Sequence, residues 1–135
     1  VEIDLALIAD AATVDGAGKL NILGVFDHIS AREFPARHER MVLVLRFSAG
    51  MDEAGTHEVT IEVKDPDGGS VARMDGEIKL APGRPDARIR VPQIVHLDGF
   101  VFPKSGMYSL AVSVDGNTLT TLGLRVSEAT RVAQA

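Results

Sequence analysis

The chain has 135 residues, 45% of them apolar and 24% charged, which suits one folded domain with one hydrophobic core and argues against disorder except at the ends. It has no Cys, which excludes a disulfide framework, a thiol nucleophile and a thiolate metal site. A formal net charge of −5 works against nucleic acid and anionic membranes as partners, because both reward clustered Lys and Arg.

In chain order, the opening Val1-Glu2-Ile3-Asp4 interrupts the basic-then-apolar pattern of a signal peptide. No run of about 20 apolar residues follows that could span a membrane. A soluble, cytoplasmic protein without membrane insertion is expected, with a removed export signal left open by Val1 in place of Met. Three apolar segments come first, Ile3 to Ala9, Leu20 to Ile29 and Met41 to Phe47, separated by a turn at Asp15-Gly16-Ala17-Gly18 and a loop at Phe34 to Glu39. The Gly-rich turn before Lys19 superficially resembles a phosphate loop, but it is too short and lacks the following helix, so a hairpin turn is expected.

After a loop at Gly50 to Gly55, strict alternation predicts a strand over Glu58 to Lys64, with Val59, Ile61 and Val63 on its dry face. The turn Asp65-Pro66-Asp67-Gly68-Gly69 returns the chain as a hairpin partner that points Ala72, Met74, Ile78 and Leu80 inward. Past a loop at Ala81 to Asp86, Ile89, Val91, Val95 and Leu97 alternate with polar residues, and Pro92 predicts an edge strand or a bulge. Another loop, Asp98 to Gly106, leads to Tyr108, Leu110, Val112 and Val114. The turn Asp115-Gly116-Asn117 then precedes a last strand through Leu122, Leu124 and Val126. Leu119 has the opposite parity, which predicts a bulge beside Thr120 and Thr121. This spacing describes an all-β, antiparallel two-sheet β-sandwich of about seven to eight strands, one domain over residues 1–127 with a loose tail over 128–135.

Two resemblances add to this reading. The run Phe102-Pro103-Lys104-Ser105-Gly106-Met107-Tyr108 resembles the approach to a late strand in many immunoglobulin-like sandwiches, where a tyrosine hydroxyl bonds back to the turn. That resemblance implies a structural corner at Tyr108. Through Ala9-Asp10-Ala11-Ala12, Gly18 to Asp27 and Phe34-Pro35-Ala36, most of the chain is similar to an uncharacterised family of small bacterial β-sandwich proteins, a domain of unknown function. The likeness implies no activity.

Catalytic and metal chemistry find little support in the residues. His28, His38, His57 and His96 fall on separate elements without ligand spacing, and no nucleophile elbow is present. No enzyme activity and no cofactor are expected. If consecutive strands run antiparallel, one end gathers Asp15, Asp52, Glu53, Asp86 and Asp115, a weak candidate for Ca²⁺, which needs about six to eight oxygens. Asp also favours turns for its own backbone bonds, and that reading is preferred. The other end gathers Arg37, His38, Asp65, Asp67 and Lys104.

The strongest functional signal is the apolar surplus of the first three segments, where both faces carry aliphatic side chains although a sandwich buries one face of each sheet. Ile8, Leu23, Val25, Val42 and Val44 form the candidate outward set, chosen for their smaller side chains, with the parity open. The expectation is a non-catalytic domain that acts through protein contacts, as a self-associating or accessory subunit. Its partner is a protein, a second copy of the chain included. The alternative is a ligand-binding module, for carbohydrate or for calcium at the acidic loop end; the scarcity of aromatic residues counts against carbohydrate.

Overall fold

Alternating apolar and polar side chains carry the chain into eleven strands in a computed structural model that describes residues 1–129. These are β1 (Glu2–Val14), β2 (Leu20–Val25), β3 (His28–Ala31), β4 (Ala36–His38), β5 (Val42–Ala49), β6 (Gly55–Lys64), β7 (Ser70–Leu80), β8 (Ile89–His96), β9 (Phe100–Phe102), β10 (Gly106–Val114) and β11 (Asn117–Glu128). One 3₁₀ turn, Met51–Glu53, stands between β5 and β6. Among the described residues no helix is long and apolar enough to cross a membrane.

The strands form three sheets, ordered β2-β1-β5-β8, β3-β11-β10-β6-β7 and β4-β9. All pairings are antiparallel except β3 with β11, which run parallel. The fold is thus all-β as expected, with more strands and one more sheet than the spacing predicts. The expected single strand over Leu20 to Ile29 divides at Phe26-Asp27, so that β2 and β3 enter different sheets. Backbone bonds hold the crossing: Phe26 N–H donates to the Ile8 carbonyl at 2.9 Å and Arg125 N–H to the Asp27 carbonyl at 3.0 Å. The loops expected at Phe34 to Glu39 and Asp98 to Gly106 pair as β4 and β9, with Arg37 opposite Val101.

The hydrophobic core lies between the four- and five-stranded sheets. Leu43, Leu45, Phe47 and Ala49 of β5 meet Val59, Ile61 and Val63 of β6 and Tyr108, Leu110, Val112 and Val114 of β10 in one buried cluster. Strand β5 is buried on its second face as well, where Val42 and Val44 join Ala9 in a smaller cluster. Leu5, Leu7, Ala12, Leu20, Ile22 and Ile94, themselves partly buried, pack over it. Each fully buried aliphatic side chain stabilises the fold by about 1.5–3 kcal/mol, so the hairpin β1–β2 contributes to both clusters.

Turn chemistry follows the sequence closely. Asp15 and Asp65 build the same turn, each carboxylate accepting the backbone N–H groups two and four residues on at 2.9–3.0 Å. Asp115 (φ +49°) and Gly116 (φ +82°) form the tight two-residue connection of β10 and β11. A register shift there pairs Val112 with Thr120 and Ser113 with Thr118, which leaves Leu119 as the extra residue of a bulge. Pro92 lies on β8, an edge strand, the position within a sheet where Pro is tolerated. The tail expected over 128–135 lies outside the described residues from 130 onward, while Glu128 ends β11 and Ala129 N–H donates to the Ala31 carbonyl at 2.7 Å.

Candidate functional site

The five aliphatic residues of the candidate outward set fall in three environments. Ile8 belongs to the main core, and Val42 and Val44, 2% and 0% exposed, lie in the second cluster beneath the chain's own side chains. Leu23 and Val25 are 72% and 61% exposed on β2. The difference follows from position. Strand β5 is interior to its sheet and has neighbours on both sides, whereas β2 is an edge whose Leu23 and Val25 stand opposite only Ala11 and Ala9. Two methyl groups cannot cover a Leu and a Val. Gly24 between them has φ +74°, a backbone conformation that a β-carbon disfavours, and a side chain there would also strike Asp10.

The edge strands differ in how they are guarded. Strand β8 carries Arg90, Pro92 and His96, strand β7 carries Arg73, Asp75, Glu77 and Lys79, and β3 is only four residues long. Charges, Pro and shortness are the devices by which sheet edges avoid pairing with other chains. Strand β2, Leu20-Asn21-Ile22-Leu23-Gly24-Val25, has no charged residue and no Pro. At the opposite end of the same sheet, a register shift beside Asp4 of β1 sets its carboxylate 2.7 Å from Arg46 Nε and 3.4 Å from Arg90 Nε. The Arg46 hydrogen bond holds the Asp4 carboxyl below its ordinary pKa. That end is polar and self-satisfied, in contrast to the exposed Leu23 and Val25 of β2.

Tyr108 is fully buried, and its hydroxyl donates to the Lys104 carbonyl at 2.7 Å while accepting the Lys104 N–H at 3.2 Å. Phe102 packs edge-on against the ring, with centroids 5.0 Å apart. Gly106, at φ +134°, leaves room for Pro66 of the β6–β7 turn, and the Lys104 ammonium contacts Asp67 of that turn. These contacts join the two loops at one end of the molecule.

The acidic residues proposed for calcium are committed to other partners or stand apart. Asp15 holds its own turn, where the Lys19 and Ala17 N–H groups lower its pKa. Asp115 Oδ2 lies 2.6 Å from His57 Nδ1, and its Oδ1 accepts the Glu58 N–H at 3.0 Å. The other ring nitrogen, Nε2, lies 2.7 Å from the Glu53 backbone carbonyl. Asp52 and Glu53 lie in the 3₁₀ turn, and Asp86 stands in the β7–β8 loop. Among the described residues no three His, Cys, Asp or Glu side chains group closely enough to hold a metal ion. A carboxylate and a carbonyl both accept, so only a protonated imidazole satisfies both at once. Accordingly the Asp115 hydrogen bond, with the Glu53 carbonyl second, raises the His57 pKa above 6.5, and that of Asp115 is lowered by His57 and then by the Glu58 N–H. No local spacing in the sequence marks this pair.

The fold and these contacts define an all-β domain of three sheets, pinned at one end by a buried tyrosine and with Leu23 and Val25 exposed along the edge strand β2. The chain belongs to the family of unknown function DUF6941, which it matches over residues 4–127. A search among curated proteins finds no match to it.

Proposed function

We propose that this domain is non-catalytic and acts through protein contacts, as a self-associating or accessory subunit, with β2 as the point of contact. The observation that carries this reading is the exposure of Leu23 and Val25 on a strand free of charge and Pro. An exposed strand edge offers unpaired backbone N–H and C=O groups, and alternate side chains supply the apolar contact. A second copy brings a strand of matching chemistry, since antiparallel pairing of β2 with its two-fold mate extends one sheet into the next and covers Leu23 and Val25 from both sides.

We read the four- and five-stranded sheets as the two layers of an immunoglobulin-like sandwich of bacterial origin, with the β4–β9 ribbon at its end. The Tyr108 hydroxyl bonded to Lys104 supports the immunoglobulin-like part of that reading. The test is the sedimentation mass of the parent and of Leu23→Lys with Val25→Lys. The parent should sediment as a dimer and the double variant as a folded monomer. A parent that stays monomeric at high concentration, with no partner recovered from its host, overturns the proposal.

A further inference from the structure

Strands β7 and β8 are edges of different sheets, and the alternation of inward apolar residues breaks once in each. Along β7 the inward positions run Ala72, Met74, Gly76, Ile78 and Leu80, and Gly76 stands opposite Val59 of β6. A β-carbon built on Gly76 meets no atom within 4 Å. Along β8, Gln93 occupies an inward position among Ile89, Val91 and Val95, opposite Leu45 of β5, yet it is exposed. The two breaks meet at one opening. Where an apolar side chain from each strand would close the gap between the sheets, a cleft of about 170 Å³ reaches Leu45, Val59, Ile61 and Val95, flanked by Met74 and Ile78.

We propose that this cleft binds a small organic ligand with an apolar body and one hydrogen-bonding head. Its volume sets the body's size, since an engineered apolar cavity of about 150 Å³ takes up benzene. Those six lining side chains are apolar, while Asp75 and Glu77, exposed on either side of Gly76, also line the cleft, so the apolar body is the part that inserts and an anionic head is disfavoured. Gln93 sets the head. Its exposed amide makes no hydrogen bond with another described residue, and it offers two donors and an acceptor beside the cleft. Glycine inside a strand costs backbone entropy and leaves nothing to pack, and it recurs where a ligand must approach closely.

Benzene and phenol serve as probes, the first matching the body alone and the second the body with a head. Titrated into the labelled protein, both should shift the methyl resonances of Val59, Ile61 and Met74 saturably, phenol at the lower concentration. Gly76→Val adds two methyl groups to the open side, and it should weaken benzene binding by about tenfold or more, the discrimination expected per methylene in an apolar pocket. Gln93→Leu should remove the preference for phenol while benzene still binds. If Gly76→Val does not fold, Gly76→Ala, which adds one methyl group at a position free of positive φ, gives the same test with a smaller loss. Absence of a saturable shift with either probe overturns the proposal, and so does undiminished binding in both Gly76 variants. Equal phenol preference in Gln93→Leu overturns the assignment of the head.

Discussion

The imidazole of His57 and the carboxylate of Asp115, 58 residues apart in sequence, meet at 2.6 Å and connect the 3₁₀ turn after β5 with the tip of the β10–β11 hairpin. Both ring nitrogens face acceptors, so the link is complete only when the ring carries two protons.

This gives a pH dependence of definite sign. The His57 pKa is raised in the folded chain, so the contribution is fully present below about pH 6.5 and lost as pH rises through the folded value. Asp115 and Asp4 act oppositely. Their lowered pKa values give a contribution present above the ordinary 3.8 and lost as pH falls through the folded values. Between about pH 6 and about pH 8 the wild type should lose more stability than His57→Gln, measured as denaturant midpoints. Parallel profiles for the two proteins would remove the charged pair from the account.

Tyr108→Phe should destabilise the fold by about 1–2 kcal/mol, because the variant leaves the Lys104 carbonyl and N–H without their buried partner. The ring and its contact with Phe102 are unchanged by this substitution, which isolates the hydroxyl. An unaltered denaturation midpoint would remove the corner's energetic role.

The second apolar cluster separates residues that look alike in sequence. Val44→Ala should cost about 2 kcal/mol, since the site is fully buried between neighbouring strands and cannot collapse freely. Leu23→Ala should stay within about 0.5 kcal/mol in the isolated chain, as expected for a surface position. Thermal melts at low protein concentration compare the two, and similar losses would mean that Leu23 is covered within the chain.

Millimolar calcium should leave the melting temperature unchanged. Asp15 is occupied by its own turn and Asp115 by His57 and the Glu58 N–H, so the candidate oxygens do not converge. A rise that disappears in Asp15→Asn with Asp115→Asn would restore a cation site at that end.

Local chemistry made much of the fold legible. Strand β6 could be placed from the alternation of Val59, Ile61 and Val63 alone, because a half-buried strand imposes a period of two on its own side chains. The Asp65 and Asp115 turns were legible for the same reason, each depending on bonds or dihedral angles within a few residues. Even the bulge at Leu119 showed as a change of parity. The candidate surface was legible only in part. The apolar surplus of the first strands was visible, but not which members of it lie outside.

Tertiary structure alone decided the rest, because pairing partners and burial depend on residues far along the chain. Both faces of β5 are apolar, so nothing local distinguishes Val44 from Leu23; the difference is that β5 is interior to its sheet and β2 is at an edge. The three-residue strands β4 and β9 are too short for a period, and they exist because Arg37 and Val101 meet across the end of the molecule. The meeting of His57 with Asp115, and of the gaps at Gly76 and Gln93, likewise required strands distant in sequence to be brought side by side. The amino-acid sequence by itself determined the longer strands and the Asp-led turns through short-range geometry. Sheet order, set by packing among those strands, determined which surfaces face solvent.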